Sequence, residues 1–356
     1  MWFDLHRHLE GSHSASALLD VARRHGIRDA AFFDPAREAW RTEAELARQL
    51  TLSAPSDDAS LFYECIKVAR RAYVSVDAIG DLARAAFDEA AADTDGFEMR
   101  LSLFSMARTL LENRRLAWRE VAPVEFAEAW ARPILLAVIA ARDAAERASG
   151  KRMLLRLGLS RTFESGPHYR ALADMAREHA KALVGLDVLG ILPKGDPEPL
   201  QPELVEILQA LRKDLPDLTI HAGEFAGHAS VDRTLELAPR GIGHGVHSLE
   251  SPRTLERLAK DGVTVEVCPT SNALLIPTRL AALERAHGGQ TPLKALQGHV
   301  HCVLGSDDPT PMGTSFRREL EVAREKGVDL VRLEADMARR WEELCPRRES
   351  NPRQGS

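Results

Sequence analysis

The stretch GIGHGVHSLESPRTLERLAKDGVTVEVCP (residues 241–269) holds two short runs rich in β-branched and small residues. Between them lies a segment of helical period, SPRTLERLAKDG (251–262), opened by Ser251 and Pro252 as an N-cap and a first helical turn. The reading is strand, helix, strand. The same alternation extends in both directions. Strands are expected at 2–6, 96–102, 153–160, 183–190, 218–224, 241–246, 263–269 and 300–307, with helical stretches such as 167–183 and 202–215 between them. Eight strands alternating with helices predict an α/β fold, a parallel (β/α)8 TIM barrel in one domain over 1–345. A doubly wound open sheet would want a glycine-rich phosphate turn after a strand, and no G-x-G-x-x-G occurs.

One segment interrupts the rhythm. Roughly residues 9–95 separate the first two strands, far beyond an ordinary crossover, and carry helical patterns at 14–26 and 59–93. This insertion is expected to be helical and to cover the barrel mouth as a lid. The tail 346–356 is polar and aperiodic, and is expected to be mobile.

The 356 residues are 44% hydrophobic and 28% charged, with a formal net charge of −6. That balance suits a globular protein and argues against nucleic acid or an anionic membrane as partner. There is no uncharged apolar run of 18 residues, and the start lacks a basic stretch followed by an apolar segment, so a cytoplasmic protein is expected. Cys65, Cys268, Cys302 and Cys345 share no C-x-x-C spacing, so neither a disulfide framework nor a cysteine zinc site is expected. The thirteen histidines carry more information.

In a barrel of this kind, reacting groups stand at the C-terminal ends of the strands. His6 and His8 end the first strand, His221 and Glu224 the fifth, His244 and His247 the sixth, Asp307 and Asp308 the eighth. Residues two apart on a strand point to one side, so His6 and His8 either grip one metal ion or are two ordinary strand histidines. His221 and Asp307 at matching ends favour the metal: three imidazoles and one carboxylate suit Zn²⁺, with water completing the shell. Glu224 in a closed pocket would keep its proton and act as an acid; alternatively it is a helix-start glutamate. His244, between two glycines, would orient or deprotonate a water, or simply occupy a turn. The pair in SDDP (306–309) would divide its work, Asp307 toward metal and Asp308 toward substrate, or form a solvated acidic turn. His13 and His228 would line the mouth, His299 and His301 lie at the opposite end, and His25, His168, His179 and His287 are read as surface residues.

Four motifs thus stand in order: H-x-H-L-E-G, H-A-G-E, G-H-G-x-H and S-D-D-P. Together with VEVCPTSN (265–272) they resemble the adenosine deaminase family of metal-dependent amidohydrolases, over nearly the whole chain from His6 to about Arg317. The resemblance implies one Zn²⁺ per chain on His6, His8, His221 and Asp307. It implies Glu224 as proton donor to purine N1, His244 as partner of the attacking water, Asp308 at purine N7 and the Gly190 N–H at purine N3. The implied reaction replaces the 6-amino group of an aminopurine by oxygen and releases ammonia, adenosine and deoxyadenosine being the simplest substrates. The partner is then a small aminopurine, and the chain a monomer or homodimer.

Three departures surround the substrate rather than the metal. Glu10 stands where nucleoside-specific members usually have aspartate, which resembles adenine deaminases. ILPKGDPEP replaces an acidic pair after Gly190, and strand two, FEMRLSLFSMA, lacks the family's arginine–proline pattern. Adenine, or a larger adenine nucleoside such as aminodeoxyfutalosine, are the rival substrates. A two-metal hydrolase would want a lysine on strand four, and VGLDVLG has none. A cytidine-deaminase type would need P-C-x-x-C besides H-x-E, whereas this chain has Cys268-Pro269 in reversed order and no second cysteine at that spacing. A non-catalytic purine-binding barrel would be expected to have lost a ligand or Glu224, and none is lost.

Overall fold

The computed structural model describes residues 1–162 and 165–345; the tail 346–356 lies outside them. Eight parallel strands lie side by side in chain order: β1 (Phe3–His8), β2 (Gly96–Leu101), β3 (Arg152–Ser160), β4 (Gly185–Leu189), β5 (Asp217–Ala222), β6 (Gly241–His244), β7 (Thr264–Val267) and β8 (Cys302–Leu304). All eight expected strands form, six of them shorter than their apolar runs and two, β1 and β3, one residue longer. Their outward side chains, such as Leu155, Leu157, Val188 and Ile220, are buried against the surrounding helices. The helix of the opening stretch spans Pro252–Asp261, with the Ser251 hydroxyl accepting from the Thr254 N–H at 3.2 Å. The architecture is the expected (β/α)8 barrel.

The sheet closes on itself at one narrow place. Arg7 bridges Asp307 in the parallel sense. There the His8 N–H donates to the Asp307 carbonyl and the Asp307 N–H to the His6 carbonyl, each at 2.8 Å. Gly305 permits this approach: a Cβ added to it would stand 2.4 Å from His6 Cβ and 2.7 Å from the His6 carbonyl oxygen. At the other end of β1, Phe3 stacks on Trp341 of the last helix, Leu330–Leu344, with ring centroids 4.4 Å apart.

Between β1 and β2 stand four helices, α1 (Ala15–Arg24), α2 (Glu43–Leu50), α3 (Ser60–Arg70) and α4 (Val76–Asp93). A hairpin of two-residue strands, Phe33–Asp34 and Ala39–Trp40, was too short to leave a periodic signal. The helical run 59–93 is broken at 71–75, and Ser75 caps α4 by accepting from the Ala78 N–H at 3.0 Å. The α2–α3 linker reaches across the strand ends: the Leu52 N–H donates to the Pro311 carbonyl at 2.9 Å, and the Ser56 N–H to the Leu274 carbonyl at 2.8 Å. The insertion is therefore tied to the loops that follow β7 and β8.

Gly305→Ala puts a methyl against backbone that cannot yield without parting β1 from β8. It should lower stability by about 2–3 kcal/mol and depress metal uptake in the same sample. Thermal unfolding with metal analysis checks this; an unchanged Tm and full metal uptake would contradict it.

Candidate metal and catalytic site

Three imidazoles meet at the C-terminal end of the barrel. His6 Nε2 lies 3.1 Å from His221 Nε2 and 3.3 Å from His8 Nε2, and His8 and His221 are 3.2 Å apart. Asp307 Oδ1 stands 3.5 Å from His6 Nε2 and 3.3 Å from His8 Nε2. A tetrahedral ion with bonds of zinc length would need donor separations of about 3.3–3.4 Å. The observed triangle matches that edge.

The outer ring nitrogens explain which edge each imidazole presents. His6 Nδ1 faces Glu266 Oε2 at 2.9 Å, and His221 Nδ1 faces Asp187 Oδ1 at 3.1 Å. A carboxylate on Nδ1 holds the proton there and leaves the Nε2 lone pair turned inward. Lone pairs facing one another in a buried space repel, and a cation relieves them. These residues fit a divalent metal of the zinc type.

The electrostatics differ from ring to ring. Burial holds His221 down to about 4, so its ring is neutral at pH 7. Burial also presses on His8, but Asp308 and Asp307 outweigh it and lift this imidazole to about 9. Asp307 stays well below the usual carboxylate range: burial works against its charge, and the His6 and His8 hydrogen bonds overcome that.

Glu224 and His244 stand beside this cluster, with His244 Nε2 3.4 Å from Glu224 Oε2. Both are buried. Burial first, then the charges of Asp307, Glu198 and Asp308, push the Glu224 carboxyl well above its ordinary value. Burial pushes His244 the other way, well below the ordinary imidazole value. The two shifts favour a protonated carboxyl beside a neutral imidazole. His244 Nε2 is 4.0 Å from Asp307 Oδ2, so it too belongs to a group able to hold an ion with His6, His221 and Asp307. The tighter triangle uses His8 instead.

Asn272 Nδ2 lies 3.1 Å from His244 Nδ1, while its Oδ1 has no partner. With the amide turned over, Oδ1 accepts from Nδ1–H and leaves Nε2 free to take a proton. His244 and Asp307 both take left-handed backbone, each at φ +61°. Such residues cost about 1–3 kcal/mol each and persist where the surroundings overdetermine them.

Asp308, burial-raised to about 7 against the pull of His8, packs on the Gly11 backbone. A Cβ at Gly11 would meet Asp308 Oδ1 at 1.9 Å, which accounts for the glycine ending H-x-H-L-E-G. Glu10 is buried; Arg70 Nη2 of α3 donates to its Oε1 at 3.4 Å, and its Oε2 has no partner. Gly190 ends β4 at φ +84°, its carbonyl accepting from Arg161 at 3.3 Å. Tyr63 of α3 lies close enough to feel the charges of Glu224 and Asp308 and the Ile191 backbone, so the insertion reaches the loop after β4 as well.

His6, His8, His221, Glu224, His244, Asp307 and Asp308 thus fall together at the C-terminal ends of the strands. The partners Asp187, Glu266 and Asn272, and Arg100, which donates to Glu266, were not foreseen. Their signal was a charged or amide residue inside an otherwise apolar strand run or in VEVCPTSN. His168 is a correction: it is buried, between Ser165 and the Val121 carbonyl, rather than on the surface. His13 is buried on Tyr73, and His247 on Glu250. His301 pairs with Asp336 at the far end, as its place before β8 implied.

A converging imidazole triangle beside a buried carboxyl and imidazole on one barrel rim fits a metal-dependent hydrolase. The chain belongs to the adenosine deaminase family, whose model matches residues 2–335. It is 31% identical over 330 residues to an adenosine deaminase of Aliivibrio fischeri, covering 91% of this chain and 86% of that one. It is 42% identical over 120 residues to an adenine deaminase of Chelativorans, a third of each protein. Among solved structures, the adenine deaminase of Arthrobacter aurescens superposes with a TM-score of 0.73 over 96% of this chain and 93% of that one, at 19% identity. The enzyme is a hydrolytic deaminase acting on a C–N bond of an aminopurine. No helix among the described residues is long and apolar enough to cross a membrane.

If His8 binds the metal, uptake must drive off its proton, which is held until about pH 9. Affinity should therefore rise as pH rises toward that value, about tenfold per unit, with one proton released. Calorimetry of zinc binding in buffers of different ionisation enthalpy measures this; affinity flat from pH 6 to 9 would contradict it.

Proposed function

We propose that the enzyme carries one Zn²⁺, on His6, His8, His221 and Asp307, and deaminates adenosine or deoxyadenosine at C6. The 3.4 Å pairing of the Glu224 acid with the His244 base beside the three-imidazole triangle carries this reading. The metal, when bound, supplies water with a pKa of about 7 as nucleophile. Glu224 gives its proton to ring N1, which leaves C6 short of electrons. His244 takes the proton of the attacking water through Nε2 and passes it to the amino group, which departs from C6 as ammonia while the remaining proton on the new C6 oxygen returns to Glu224. Asp308 holds the ring through N7 and the Gly190 N–H through N3, fixing C6 in place. Glu10 meets the part of the substrate beyond the ring, and α3 shuts the mouth through Tyr63, excluding water.

The full-length likeness to the Aliivibrio adenosine deaminase supports a nucleoside. Free adenine is the second reading, favoured by one observation: Glu10 is a glutamate already engaged by Arg70, which narrows the space beside it.

Glu224→Gln should keep zinc and lower kcat by about 10²–10⁴-fold. The proton-holding acid also fixes the sign of the pH profile: kcat/KM should fall on the alkaline side as Glu224 loses its proton. Near-normal turnover in the variant, or activity that keeps rising with pH, would contradict the assignment. Ammonia release from adenosine, deoxyadenosine, adenine, methylthioadenosine and aminodeoxyfutalosine, with metal content from the same sample, decides the substrate. Activity confined to adenine would favour the second reading.

A further inference from the structure

The loop between β4 and the helix Pro202–Leu211 carries Glu198, which no motif marks. Its side chain is buried and turned under the loop that follows β5. Its Oε1 accepts from the N–H groups of Glu224 at 2.9 Å, Phe225 at 2.7 Å and Ala226 at 3.3 Å. Its Oε2 accepts from the Gly223 N–H at 2.7 Å and the Ser230 hydroxyl at 2.5 Å. Four successive backbone N–H groups converge on one carboxylate, the concave arrangement that peptide chains form around anions. Here the anion is part of the chain.

The loop bearing Glu198 is itself fastened. The Glu198 N–H donates to Asp196 Oδ1 at 3.0 Å, Asp196 pairs with Arg233 at 2.6 Å, and buried Arg161 donates to the Pro199 carbonyl at 3.2 Å. Arg161 also donates to the carbonyls of Gly190 and His221. One guanidinium thus ties the ends of β4 and β5 to the loop whose carboxylate holds residues 223–226.

We infer that Glu198 is a positioning residue for the deamination: it fixes the backbone from which Glu224 reaches the substrate, and so aims the acid at the ring nitrogen. The inference rests on the proposed role of Glu224. It also gives the ILPKGDPEP segment a task, since that segment delivers the anion to the GEFA backbone. The charge of Glu198 close to Glu224 works in the same direction, favouring the acid's protonated form.

Glu198→Gln keeps the size of the side chain but turns an N–H₂ toward backbone donors. Misplacement of an acid by about 1 Å costs about a hundredfold in rate. Zinc-loaded Glu198→Gln should therefore lose about a hundredfold in kcat, with KM and zinc content near those of the unaltered enzyme. In a Glu224→Gln background the same change should cost little more, because the group it aims is already gone. Ser230→Ala, which removes a single donor, should fold normally and lose kcat severalfold. Hydrogen exchange at the 223–226 amides should accelerate in both single variants. Unchanged kcat in folded Glu198→Gln or Ser230→Ala would overturn the inference, as would a full hundredfold loss added to that of Glu224→Gln. Those results leave the reaction itself standing. An unaltered enzyme that deaminates no aminopurine would overturn both readings.

Discussion

Two backbone hydrogen bonds close the barrel, and the same two assemble its chemistry. The His8 N–H reaches the Asp307 carbonyl and the Asp307 N–H reaches the His6 carbonyl, joining the first strand to the segment just after the last. Three metal-binding candidates are thereby fixed relative to one another by backbone rather than by flexible side chains. The fourth, His221, enters from β5 across the barrel and is aimed by Asp187 of β4. Contacts separated by some 300 positions in the chain become rigid neighbours. A sheet that failed to close would lose the site with it.

Beneath this rim the barrel interior is ionic. Arg340 of the last helix pairs with Asp217, Asp217 with Arg156, and Arg156 with Glu98 through two hydrogen bonds of 2.7 and 2.6 Å. Glu98 then pairs with Arg100 at 3.2 Å, and Arg100 with Glu266, which faces His6. Arg100 Nη1 lies 2.9 and 3.3 Å from the two nitrogens of the His6 ring, over its face rather than in its plane. Buried ion pairs add little net stability, because desolvation offsets their attraction, but removal of one partner costs several kcal/mol. Their service here is orientation. Arg100 holds Glu266, and Glu266 sets the His6 proton.

The fold could be read from the sequence because strand and helix periods differ, and eight apolar runs alternate with helical segments. The metal cluster could be read because its histidines and aspartate all end such runs. The residues that aim them were harder to see. Asp187 and Glu266 each stand singly in a strand, where no spacing distinguishes a barrel-facing charge from a solvent-facing one. Glu198 sits in a loop whose proline-rich composition says only that it turns. The break between α3 and α4 was hidden because both helices are rich in helix formers. The meeting of α3 with Glu10 is a contact between distant segments that no local pattern carries.

The central claim is that barrel closure builds a one-metal site of three imidazoles and one carboxylate. X-ray absorption at the zinc edge, on protein loaded with zinc and analysed for metal content, tests it most directly. One zinc per chain with only nitrogen and oxygen neighbours at about 2.0–2.2 Å, and multiple scattering from three imidazoles, is the expected result. Two zinc ions per chain, or a sulfur neighbour near about 2.3 Å such as Cys268 would supply, would contradict it.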